Sequence, residues 1–217
     1  MLLEITSTNR AEGVWHVLAA LAVGDGSVAH PVVATLLAST AAKRNLADAI
    51  HAICSVHGRL LFDQVTLAEG ESAGWFVSVA AAFMAERIYL AHLTAAAGPL
   101  PSTPGQAAAD AAFASQRHAF DMLAASSRKG CAVGAALALI LDWHVIRDVL
   151  DAAAERFAVK VPPCGLPSID EVAAFADLIA ETPATQRAIA FGAQQVFAQH
   201  RGLWCLLEAR ASARNHD

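Results

Sequence analysis

The chain has 217 residues and a mass of 22.6 kDa, the size of one ordinary domain with room for a sizeable core. With 56% hydrophobic and 16% charged residues, and alanine making up about a quarter, it is neither a disordered segment nor collagen-like. A formal charge of −5 and a pI near 6.0 argue against a nucleic-acid binder, which would normally show a basic stripe. The longest uncharged apolar run, Cys131 to Leu141, falls short of the roughly 20 residues a membrane span needs.

Taken in chain order, the start Met1-Leu2-Leu3-Glu4 shows no basic region, apolar core or cleavage pattern, so a cytoplasmic protein is expected. A helix is predicted near 9–23, stopped by Gly24-Asp25-Gly26. Pro31 suits the first turn of a second helix, predicted over 31–57 and closed by Gly58. Residues 59–69 read as a short helix or an ordered loop, and a helix over 71–97 follows Gly70. The glycine- and proline-rich run from Gly98 to Gly105 separates this helix from one over 106–126, and Gly130 opens another over 130–157. Pro162-Pro163-Cys164-Gly165-Leu166-Pro167 forms a stiff loop, read as packing over an end of the bundle. After it, Ser168 and Glu171 make a capping-box pattern for a helix over 169–180. Pro183 opens the last, over 183–212. Nothing repeats at a fixed period and no linker divides the chain, so residues 1–217 are predicted to form one all-α bundle of six or seven helices.

Alanine-rich faces allow helix axes to approach closely, and Gly130 with Gly134 adds a small-xxx-small face. Such faces bury a modest apolar area per residue, so burial is expected to be completed between two copies, in a homodimer. The four cysteines, Cys54, Cys131, Cys164 and Cys205, lie far apart without CxxC or CxxH spacing and read as free thiols. Cys164 has only Lys160 as a nearby cation, a poor setting for a nucleophile.

No phosphate loop, GxGxxG, GxSxG, HExxH or EF-hand pattern occurs. The remaining signal is polar residues inside apolar stripes. Glu86 follows Val79 and Phe83 and precedes Leu90 and Leu93, at helical spacings that place it mid-stripe. His200 sits at the centre of the stripe of Ile189, Val196, Leu203, Trp204 and Leu207. His57 shares a face with Leu46, Ile50 and Ile53, and Asp142 lies beside Ile146 and Val149. A buried polar group must be paired or used, since leaving it unpaired costs ~1–3 kcal/mol. Other pairs read as solvated: Asp48 and His51 with Arg44 and Ser55, Glu12 and His16, and His144 with Asp148, Asp151 and Glu155. His118, three residues before Asp121, is left undecided.

Inward carboxylates and histidines on a bundle resemble the ferritin-like di-iron proteins in general architecture. Their ExxH motifs are missing: Cys54, Tyr89, Ser115, Leu141 and Phe197 stand three residues before His57, His92, His118, His144 and His200. Three readings follow. One is a non-catalytic bundle acting through a dimer interface or a small apolar ligand cavity. Another is a metalloenzyme holding a single iron, manganese or zinc ion through Glu86 and His200 with His57 or Asp142. The third is a metal-free enzyme using Glu86 or His200 as acid or base in an apolar pocket. No membrane or nucleic-acid partner is expected.

Overall fold

The computed structural model describes residues 13–57, 72–101 and 105–214, and what it describes is an all-α bundle. Helix α1 covers Val14–Asp25, and a 3-10 turn over Ser27–Ala29 leads into α2, Pro31–Leu37. Then come α3, Lys43–His57; α4, Ser72–Ala97; α5, Gln106–Ala124; α6, Cys131–Phe157; α7, Ile169–Ile179; and α8, Pro183–Arg214. The segment 59–69 lies outside the described residues. Pro31 and Pro183 are the first residues of their helices. Ser168 Oγ accepts from the Glu171 N–H at 3.3 Å while the Glu171 carboxylate accepts from the Ser168 N–H at 2.8 Å, the reciprocal cap its spacing predicts. Cys54, Cys131, Cys164 and Cys205 are all free.

The helix predicted over 31–57 is instead two. Ala38 leaves α2 in an extended conformation, and the chain re-enters a helix at Lys43. No glycine or proline marks the break. Ser39 and Thr40 are weak helix formers whose hydroxyls compete for the backbone. The Ser39 carbonyl is taken by Arg156 at 2.8 Å, and Ala41 is buried at the bend.

At the centre run α6 and α8. Gly130 meets Thr185, Gly134 meets Ile189 and Asp142 meets His200, so the two helices lie parallel with their starts side by side. Glycine is required where they touch. A Cβ on Gly134 would stand 2.0 Å from the Ile189 carbonyl oxygen, and one on Gly192 would stand 2.0 Å from that of Cys131. Both obstacles are backbone and cannot turn aside. Gly134→Ala should therefore lower stability by ~1 kcal/mol in urea unfolding, the ~1–3 kcal/mol of overpacking outweighing the ~1 kcal/mol of helix propensity gained. Gly74→Ala, on a helix with nothing within 4 Å, should do the reverse and stabilise.

The core around this pair holds Trp143, Trp204, Phe76, Phe83, Phe197 and Tyr89, each less than about 2% exposed or at that level. Helix α4 is apolar nearly all round. It is the one described helix long and apolar enough to cross a membrane, over Gly74–Ala97. Its inner face is committed to the bundle through Phe76, Val79, Phe83, Tyr89, Leu90 and Leu93.

Candidate functional site

Two buried polar networks meet at Trp143. The first centres on Glu86, 1% exposed in the middle of α4. Its Oε1 accepts from Arg147 Nη1 at 2.5 Å and its Oε2 from Trp143 Nε1 at 3.0 Å, so both oxygens face donors from α6. Arg147 spends its other donors on Asp151 Oδ1 at 2.7 Å and the Pro162 carbonyl at 2.5 Å. Its guanidinium lies 4.5 Å over the Tyr89 ring. The Tyr89 hydroxyl donates to Asp151 at 2.8 Å. Burial, and then that carboxylate, push the phenol well above its ordinary pKa. Burial works against the charge on Arg147, but the hydrogen bond to Asp151 and the carboxylates of Glu86 and Asp151 outweigh it and hold the guanidinium charged.

The second network starts from the turn after α1. Ser27 donates its N–H to Asp142 Oδ1 at 2.7 Å and its hydroxyl to Asp142 Oδ2 at 2.5 Å. Trp204 Nε1 donates to Ser27 Oγ at 2.6 Å. Gly26 makes this approach possible: a Cβ there would lie 2.3 Å from the Ala22 carbonyl oxygen and 2.9 Å from Asp142 Oδ1. Asp142 Oδ2 also bonds His200 Nδ1, which leaves His200 Nε2 facing His57 Nε2 at 3.1 Å. One proton bridges the two rings, because two N–H groups cannot point at each other. Burial, with the neighbouring His200, holds the His57 pKa well below its ordinary value. Phe120 and Trp143 enclose His57 at ring distances of 5.1 and 5.3 Å.

The structure thus joins three of the four residues singled out in the sequence. Asp142, His200 and His57 form one chain; Glu86 belongs to the other network and is joined to them through Trp143. Among the described residues no three His, Cys, Asp or Glu side chains group as a metal-holding set. Arranged this way, the carboxylate fixes the His200 ring and a proton can be shared with His57. The three side chains are 1–3% exposed, and none of them lines the clefts described below.

Several polar residues read as solvated are not. Asp48 is only 4% exposed, held by Arg44 Nε at 3.3 Å and by Arg214 Nη1 at 2.6 Å from the end of α8, which covers this face of α3. His144 Nε2 bonds the Pro167 carbonyl at 2.9 Å and, with Arg147 on Pro162, ties the proline loop to α6. Asp151 holds Arg147 and Tyr89. His16 and His118 are exposed, and Glu12 lies outside the described residues. Ser27, Tyr89, Trp143, Arg147 and Trp204 are the network members that sequence reasoning missed. Ser27 is 115 residues from Asp142 in a turn, where periodicity says nothing.

A cleft of about 360 Å³ opens beside Asp48, His51, Ser55, Gln106, Asp110 and Arg210. A second of about 210 Å³ shares Asp48 and Leu207 with it, and a third of about 360 Å³ lies where α6 and α8 begin.

Residues 22–215 match the model of a family of unknown function (DUF6975). The chain belongs to that family. The match takes in both polar networks, from Ser27 to Trp204. No curated protein and no solved structure matches it.

Proposed function

We propose that this DUF6975 chain is a non-catalytic helical-bundle protein that acts by association, with the outer face of α4 as the seam of a homodimer. The observation that carries this reading is the spacing of exposed apolar residues along that face. Val77, Ala81, Met84, Ile88, Ala91 and Ala95 recur at intervals of four and three, the heptad pattern by which helices pair. Val77, Met84 and Ile88 are 58–61% exposed. The stripe runs about 27 Å at 1.5 Å per residue.

A standard interface uses roughly 20–30 residues a side. The twelve exposed residues between 74 and 97 supply about half of such a set. More come from the proline loop, which touches α4 where Gly165 meets Ala82 and carries exposed Val161 and Cys164. A second copy fits the face better than a lipid surface does. Arg87 is the only Lys or Arg on α4, whereas membrane-surface helices carry many basic residues. The inner residues of α4 are bound into the core by the Glu86–Arg147 pair.

Light scattering should give twice the 22.6 kDa chain mass for the wild type and a monomer for Met84→Glu with Ile88→Glu. Both substituted side chains are exposed in the protomer, so its helical circular dichroism should hold while its unfolding midpoint loses the concentration dependence of the dimer. A wild type that stays monomeric at high concentration overturns the reading, and a dimer untouched by the two substitutions moves the seam elsewhere.

A second reading, a single metal ion between His200 and His57, has one observation in its favour. A carboxylate on the far nitrogen of His200, as Asp142 provides, is the arrangement that orients metal-ligating histidines. It requires a metal that is lost in His200→Asn. The acid–base reading is weakened for Glu86, whose two oxygens are occupied by Arg147 and Trp143.

A further inference from the structure

The chain is acidic overall, yet the cleft at the starts of α6 and α8 is lined by Arg128, Lys129 and Arg187 together with Thr182, Ala184 and Thr185. Because α6 and α8 run parallel, the positive ends of two long helix dipoles, of 27 and 32 residues, come together at this point. Gly130 and Thr185 are in contact across the junction. Gly130 offers no side chain to cap α6, whereas Thr182 caps α8 by accepting from the Thr185 N–H at 3.1 Å. The Thr185 hydroxyl lies 2.9 Å from that of Thr182, in a side chain only 8% exposed. Arg128 is steadied by the Phe191 ring, 5.6 Å away. A carboxylate stands at the rim of the cleft: Glu181 meets Lys129 at 3.4 Å, with the two side chains 67% and 81% exposed. An exposed pair of this kind is weak and readily exchanged for a stronger anion.

We infer that this cleft binds the phosphate group of a small phosphorylated compound. Arginine forks match phosphate oxygens two at a time, and the paired helix starts add a fixed positive field. A volume of about 360 Å³ sits at the small end of ligand sites and suits a metabolite. A nucleic acid would need a basic track longer than the three cations that line this cleft. The inference uses no residue of α4 and stands whether or not the chain dimerises.

Calorimetric titration of the full chain with inorganic pyrophosphate tests it. Saturable binding should appear, weaken on adding salt, and fall at least tenfold in Arg128→Ala with Arg187→Ala, both exposed positions. Arg201→Ala, which removes a cation paired with Asp25 elsewhere, should leave the affinity unchanged. Absence of saturable binding, or equal binding by the double variant, overturns the inference. So does co-sedimentation with phosphatidylglycerol vesicles that depends on Arg128 and Arg187 while pyrophosphate fails to bind, since the partner would then be a lipid surface.

Discussion

Arg147→Ala should destabilise the protein by ~3–5 kcal/mol, because it strands the Glu86 carboxylate at 1% exposure with no opposite charge beside it. A lone Trp143 N–H cannot replace a guanidinium that reaches Glu86, Asp151 and the Pro162 carbonyl at once. The change is large enough to move a urea midpoint by more than 1 M for slopes of about 1–3 kcal/mol/M. Replacing both charges, as Glu86→Met with Arg147→Met, should recover much of the loss, since a buried pair can be exchanged for apolar side chains of similar volume at little net cost. The exchange still leaves the Trp143 N–H without its acceptor, at ~1–3 kcal/mol, so recovery should be incomplete. A loss below ~1 kcal/mol for Arg147→Ala would show that the pair behaves as a surface one.

Asp142→Ala should cost a similar ~3–5 kcal/mol by a different route. It removes the acceptor for the Ser27 N–H, the Ser27 hydroxyl and His200 Nδ1, three contacts that tie the turn after α1 and helix α8 to α6. Ser27→Ala takes away the hydroxyl but keeps the N–H bond, so it should cost less, ~1–2 kcal/mol, with Trp204 Nε1 losing its partner as well. Urea unfolding of the two variants checks the order. Equal losses would mean that the Ser27 N–H and His200 contacts of Asp142 together contribute no more than the Trp204 bond that Ser27→Ala removes.

What could be read in the sequence follows from the reach of a helical repeat. Glu86 and His200 stand inside stripes of apolar residues at three- and four-residue spacing, and both prove to be 1% exposed. The capping box at Ser168 and the prolines at 31 and 183 act within one turn, so local chemistry was enough to place them. Partners are another matter. Arg147 lies one turn before Asp151 on a helix edge rich in charge, and only the approach of α4 and the proline loop turns that edge inward. Asp48 likewise looks solvated on α3 until the far end of α8 covers it. The contact of Gly134 with α8 was half legible. Gly192, its counterpart, carried a signal that periodicity ignores: a glycine in the middle of a 32-residue helix costs about 1 kcal/mol against alanine and calls for a packing reason.

On the proposed reading, Glu86, Asp142, His200 and His57 have the work of holding the bundle together, through the contacts each makes, and function lies at its surface. Elemental analysis of protein purified without an affinity tag tests that division most directly. Iron, manganese and zinc should be far below one per chain, and Asp142→Ala should change stability without changing metal content. About one metal ion per chain, lost in His200→Asn while the fold survives, would contradict it and make His200 and His57 the heart of a metal site.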